Sequence, residues 1–150
     1  MSKKQKGMTL LEVLIFVYIL TLIFLTIAFT TTQSIKRTIY NQQKIIATHY
    51  AEEVHEWMRG EKETDWAIFA TRSDSTYCLN QSITVCHAAG SCWSENVECV
   101  ADDYSLANKY KRSSTLTTQG SLIDVTTIVE WKDGANTYTI PLSTTFSRWE

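Results

Sequence analysis

Four groups of side chains in this 150-residue sequence have types and spacings that could do chemistry. Glu12 is a lone acid in an apolar run. Cys78, Cys86, Cys92 and Cys99 lie in one stretch, with no cysteine elsewhere. Lys109-Tyr110-Lys111-Arg112 interleaves cations with an aromatic ring, a combination that can grip a nucleic-acid strand by phosphate contacts and stacking; a charged surface loop is the plainer account. His49 and His55 stand among Glu52, Glu53 and Glu56, but a spacing of six keeps the two imidazoles off one helix face, and the three glutamates suit a solvated face. No serine sits in a nucleophile elbow, so no catalytic residue is assigned and no enzyme activity is expected.

The cysteines separate two chemistries. An even count in an oxidising compartment favours two disulfides. Zinc competes, but no pair has C-x-x-C spacing and His87 merely adjoins Cys86. Three connectivities are open; nested pairing, Cys86 with Cys92 inside Cys78 with Cys99, is preferred because Ala88-Ala89-Gly90-Ser91 could turn a hairpin between them. Asp102-Asp103 does not make a calcium sphere of six or more oxygens. No metal or cofactor is expected.

The elements that must position these groups begin with an apolar run from Met8 to Phe29, about 22 residues, long enough to cross a bilayer as one helix. Only Glu12 and three threonines interrupt it. A carboxylate costs up to ~3 kcal/mol at a bilayer centre, so Glu12 is either functional or snorkels to the interface. Lys3, Lys4 and Lys6 precede the run and Lys36 and Arg37 follow it by about two turns, an asymmetry that leaves the N-terminus cytoplasmic and the bulk of the chain exported.

From Thr30 to Arg59 there is neither Gly nor Pro, and Ile35, Ile39, Ile46, Tyr50, Val54 and Trp57 recur at helical steps, predicting one stripe that faces a core. Gly60 is the expected stop. The helix from about Thr9 to Arg59 would then be roughly 75 Å long. Beyond it, Asp65-Trp66-Ala67-Ile68-Phe69 reads as a short turn whose Trp and Phe plug the head. Thr76 to Leu79 and Ser82 to Cys86 read as strands, and Leu122–Trp131 and Asn136–Phe146 as a hairpin about Asp133-Gly134. Ile123, Val125, Val129 and Trp131 share one face of that hairpin, and Tyr138, Ile140, Leu142 and Phe146 continue it. Pro141, the only proline, points to an edge position or a bulge. The predicted class is α+β: a long helix, half membrane-spanning and half amphipathic, packed on a small antiparallel sheet.

A basic stub ending in Gly7, followed by Met8-Thr9-Leu10-Leu11-Glu12 opening an apolar helix, resembles the processing site of type IV prepilins and pseudopilins. The likeness covers the first part of the chain. It implies a ladle-shaped pilin, cleaved between Gly7 and Met8 by a prepilin peptidase that also methylates the new amine, with the apolar segment retained; a secretory signal would be cut after that segment. It also implies assembly with other pilin subunits by an inner-membrane platform and its ATPase. In a filament core the new ammonium at Met8 and the carboxylate of Glu12 each need a partner, and pairing them between subunits would set the axial register, since removing one member of a buried pair costs ~3–5 kcal/mol. Met8 stands where the family usually has Phe, and Phe29 where many pilins have a bending Pro. The Trp131 hairpin with Phe146 and Trp149 resembles minor-pilin heads.

The expected organisation is therefore a leader at 1–7, a transmembrane and filament-core helix at 8–30, an amphipathic helix at 31–60, and a head at 61–150 with a cysteine-rich part at 78–99. Roughly 90 residues make one modest head and leave no room for a second domain. The formal charge of −2 gives no global signal for nucleic acid or anionic lipid. The function expected is a structural subunit, minor pilin or pseudopilin, of a pilus, secretion or DNA-uptake filament, held in the inner membrane and then in a periplasmic or extracellular fibre. The competing reading is a membrane-tethered binding module whose head takes DNA or a surface ligand without entering a filament.

Overall fold

The computed structural model describes residues 9–88, 92–93, 99–100 and 103–148. The leader, Met8, the proposed 88–91 turn as a whole, Asp102 and Trp149 lie outside that description. The chain falls into two compact units, Met1–Gln42 and Gln43–Glu150.

Helix α1 runs over Leu10–Thr64. Thr9 starts it: its carbonyl accepts from the Glu12 amide at 3.0 Å, and its hydroxyl lies 3.4 Å from the same amide. In the first unit every described residue is exposed within the chain. There the threonine hydroxyls turn back on the helix: Thr21 donates to the Val17 carbonyl at 2.8 Å, Thr26 to Ile23 at 2.8 Å and Thr31 to Ile27 at 2.8 Å, so the hydroxyls need no solvent. This stretch is long and apolar enough to cross a membrane.

The helix does not stop at Gly60. It continues to Thr64, whose hydroxyl donates to the Gly60 carbonyl at 2.8 Å. A glycine lowers helix propensity by only about 1 kcal/mol, and here Lys62, buried beyond it and set 5.7 Å from the centre of the Phe146 ring, holds the last turn on the head. Asp65 then caps the short helix α2, Trp66–Ala70, by accepting from the Ile68 amide at 3.1 Å, which fits the short turn expected there.

Four antiparallel strands follow, in the order β1 (Ser75–Cys78), β2 (Tyr110–Gln119), β3 (Leu122–Asp133) and β4 (Asn136–Phe146). The last two form the predicted hairpin, with Asp133 paired to Asn136 around Gly134, whose φ of 61° a side chain would resist. The same device joins β2 to β3, where Gly120 has φ 65° and Gln119 pairs with Leu122. Pro141 lies in β4, an edge strand, as its missing N–H requires.

Two sequence expectations fail in this part of the chain. Ser82 to Cys86 is not a strand: α3 occupies Ile83–Ala88, opened by the Ser82 carbonyl, which accepts from the Val85 and Cys86 amides at 3.0 and 3.1 Å. A serine favours a helix start as readily as a strand end, and the six-residue separation between Cys86 and Cys92 leaves little chain for a ladder. Conversely, β2 begins within the Lys109–Arg112 stretch that read as a charged loop, and continues through residues given no element. Its Ser and Thr residues hide the alternation, although Tyr110, Arg112, Ser114 and Leu116 all turn inward.

The core stripe of α1 keeps Tyr50, Val54 and Trp57 from the predicted one, which pack into or against the core, but not Ile35, Ile39 and Ile46. The buried face is Gln43, Ala47, Ala51, Val54, His55, Met58 and Lys62. Ile35, Ile39 and Ile46 are 54%, 42% and 44% exposed. The fully buried α1 residues facing Tyr110 and Trp131 are small: Ala47 and Ala51 let the helix backbone approach, and the aromatic rings fill the space together with Leu106 and Val129. Further along, Val54 and Met58 pack with Phe69, Leu116, Ile123, Val125 and Phe146. Ile123, Val125, Val129 and Trp131 are buried as expected, while Tyr138, Ile140 and Leu142 on the edge strand are half-buried.

Candidate functional site

Glu12 sits in the first turn of α1, where the helix dipole favours an anion. Its neighbours Leu10 and Leu11 are 80% and 67% exposed, so the carboxylate stands on an apolar surface that the chain itself does not cover. Gly7 and Met8, its expected partners in processing and pairing, fall outside the described residues.

All four cysteines form disulfides in the nested pattern, Cys78 with Cys99 and Cys86 with Cys92. The inner bridge brings Trp93 into the core. Its ring lies 4.7 Å from Trp57 and 4.8 Å from Tyr77, its indole N–H donates to Glu61 Oε2 at 3.1 Å, and the Arg72 guanidinium covers it at 4.6 Å. The outer bridge starts from Cys78 at the end of β1 and the inner one from Cys86 in α3, so the covalent links tie Cys92 and Cys99 to those two elements.

The basic tetrad is neither a loop nor a single surface. Residues from Tyr110 on belong to β2, whose alternation sends Tyr110 and Arg112 inward and Lys111 outward, with Lys109 half-buried just before the strand. Tyr110 packs edge-on against Tyr50 at 5.3 Å. Lys111 Nζ pairs with Glu130 at 3.1 Å, and Glu130 also accepts from the Tyr104 hydroxyl. Burial tends to raise the Glu130 pKa, but the Tyr104 hydroxyl and Lys111 outweigh it and hold the carboxyl below its usual range.

Arg112 is the centre of the head. Its side chain is fully buried, yet every nitrogen has a partner: Nε donates to the Leu79 carbonyl at 2.8 Å, Nη1 to the Tyr50 carbonyl at 2.7 Å and Glu53 Oε2 at 2.8 Å, and Nη2 to the Gln81 carbonyl at 2.8 Å. Its backbone amide donates to Asn80 Oδ1 at 2.6 Å. Burial lowers its pKa from the ordinary value and Glu53 opposes that shift, leaving a charged guanidinium that ties α1 and the β1–α3 connection to β2. Glu53 therefore leaves the solvated face assigned to it. Sequence reasoning missed this site because a cation among serines and threonines signals a surface; the period-two alternation from Tyr110 to Leu116 was the available clue.

The histidines also part company. His49 is exposed, whereas His55 is buried and its Nε2 lies 3.0 Å from Thr127 Oγ1, which is in turn 2.7 Å from Ser114 Oγ. Burial, with the nearby Arg59 cation, lowers the His55 pKa, and Glu56 opposes them.

No family model, curated protein or solved structure matches this chain. The described geometry thus offers a membrane-length helix with one acid, and a head braced by two disulfides and a buried arginine. Its polar networks hold structure together: Arg112 meets carbonyls and one carboxylate, and His55 meets two hydroxyls.

Proposed function

We propose that the chain is a structural subunit of a type IV pilus or a related secretion or DNA-uptake filament, in the manner of a minor pilin or pseudopilin. The observation that carries this reading is Glu12, the one charged residue between Met8 and Phe29, placed five residues after Gly7 at the start of an exposed apolar helix. In lipid that helix has no net gain from associating with its like, because acyl chains are as apolar as leucine, so pairing of charges and contacts between heads must fix the assembly geometry. Cutting after Gly7 would free an ammonium at Met8 to meet Glu12 of a neighbouring subunit. The inner membrane, the peptidase and the assembly machinery are the partners this reading requires.

Intact-mass measurement of protein from sheared surface fibres tests it directly. The expected species has lost residues 1–7 and gained one methyl group; fibres built of chains that keep the lysine-rich leader would overturn the proposal. Glu12→Ala is expected to abolish or cripple incorporation while leaving the head folded. A tethered binding module would instead keep its surface activity in that variant.

A further inference from the structure

The two disulfides differ in what surrounds them. Cys86 and Cys92 are 8% and 6% exposed and pack in the core with Tyr77, Ile83 and Trp93, so the inner bridge is closed off from solvent. Cys78 and Cys99 are half-buried, and Cys99 lines a hollow of about 260 Å³. Strands supply the rest of its wall: Thr76 from β1, Lys111 and Ser113 from β2, and Ile128 and Glu130 from β3. Cys78 is not among the described residues that line it. A group entering the hollow therefore meets the outer bridge from its Cys99 side.

The charges at the hollow suit an incoming thiolate, the species that attacks in disulfide exchange. Glu130 alone would repel it. Lys111 Nζ, 3.1 Å from Glu130 Oε1, offsets that carboxylate at the wall. The surroundings also suit the product. The Arg112 carbonyl lies 3.3 Å from Cys99 Sγ, so a thiol formed there has an acceptor already in place. Neither feature is needed to hold a disulfide shut.

We propose that Cys99 is a thiol–disulfide exchange site, through which an external dithiol opens the outer bridge while the inner one stays closed. A thiolate of the dithiol enters the hollow and bonds to Cys99 Sγ. The Cys78–Cys99 bond breaks, and its electron pair leaves on Cys78 Sγ, which then takes a proton. The second thiol of the reductant, deprotonated, attacks the mixed disulfide, releases Cys99 as a thiol and leaves the reductant as a disulfide. Exchange with the oxidised partner runs the same steps backwards and closes the bridge. The ladder does not rest on this bond: β1 pairs with β2 through its backbone from Ser75 with Leu116 to Cys78 with Ser113, and Cys86 still holds Cys92 to α3. The head with its outer bridge open is therefore expected to stay folded, with a lower stability. The site belongs to the head alone, so this proposal stands whether or not the chain enters a filament.

The test uses the full chain, oxidised and in detergent, with substoichiometric dithiothreitol in one arm and reduced thioredoxin, a protein dithiol, in the other. Acid quench, alkylation and peptide mass mapping report which cysteines have opened, and circular dichroism checks the fold. In at least one arm Cys78 and Cys99 are expected to label about tenfold faster than Cys86 and Cys92, and the arm that does so identifies a small or a protein reductant as the source. Glutathione, a monothiol, is expected to leave its mixed disulfide on Cys99. Lys111→Met, which bares Glu130, is expected to slow opening about threefold and Glu130→Gln to speed it by a similar factor. Should Lys111→Met unfold, Glu130→Gln carries that comparison. Inner-bridge opening as fast as the outer in both arms, glutathione mapped to Cys78, or slower opening in folded Glu130→Gln would overturn the proposal.

Discussion

The two stretches of α1 are helical for different reasons. From Leu10 to Gln42 no residue is buried, and the stretch carries its apolar side chains outward on every side. From Gln43 to Thr64 the same helix buries a stripe seven residues strong, and two of those seven are alanines. The first stretch satisfies its own backbone and threonine hydroxyls, which is what an environment without water demands. The second is held by what it packs on, and its composition follows the shape of the sheet more than the hydrophobicity of each position. Burial against the sheet and exposure of an apolar surface thus mark the two stretches of one continuous element oppositely.

Changes in the head should cost stability, and the largest loss is expected for Arg112→Ala. That change strands Glu53 and the carbonyls of Tyr50, Leu79 and Gln81, and should lower the unfolding free energy by ~3–5 kcal/mol in a denaturant titration. Replacing Cys78 and Cys99 together by serine follows, with ~2–4 kcal/mol lost; excess reductant, which opens Cys86–Cys92 as well, should cost the parent chain at least as much. Ala51→Leu comes next: with Ala51 fully buried against the sheet, overpacking should cost about 1–3 kcal/mol. If it is neutral, close approach of helix to sheet is not what the alanines provide.

Acid should probe the same seam more gently. Because the folded His55 binds its proton less readily than the unfolded one, its contribution is complete above the ordinary histidine value of 6.5 and declines as pH falls below it, until the native ring titrates as well. Unfolding midpoints measured from pH 8 to 5 should fall accordingly, and His55→Gln should remove that part of the slope. The smallest effect is expected on the outward-facing stripe. Ile39→Ser, at an exposed position, should shift head stability by no more than about 0.5 kcal/mol; a larger loss would break the contrast between the two stretches.

The sequence made the architecture legible where a single period ruled. The membrane-length run, the hairpin with Asp133-Gly134 at its turn, the inward set Ile123, Val125, Val129 and Trp131, and a proline at an edge or a bulge were all visible. The core stripe was harder because large apolar residues drew the reading toward Ile35, Ile39 and Ile46, whereas contact with the sheet selected Ala47 and Ala51. Strand β2 was hidden for a related reason: its inward positions include Arg112 and Ser114, which are polar and paired, and no pattern of hydropathy identifies a cation whose partners lie about 30 to 60 residues away. The cysteines were legible as bridges, but helix α3, which carries Cys86, was not, since six residues of mixed propensity do not declare a period.

One consequence of the arginine cage concerns the order of events as the polypeptide leaves the ribosome. Tyr50, Glu53, Leu79 and Gln81 all emerge well before the guanidinium that joins them, and until β2 has been made their Arg112 hydrogen bonds are missing. The cage that ties α1 to the sheet therefore cannot be complete until the chain has been synthesised past residue 112.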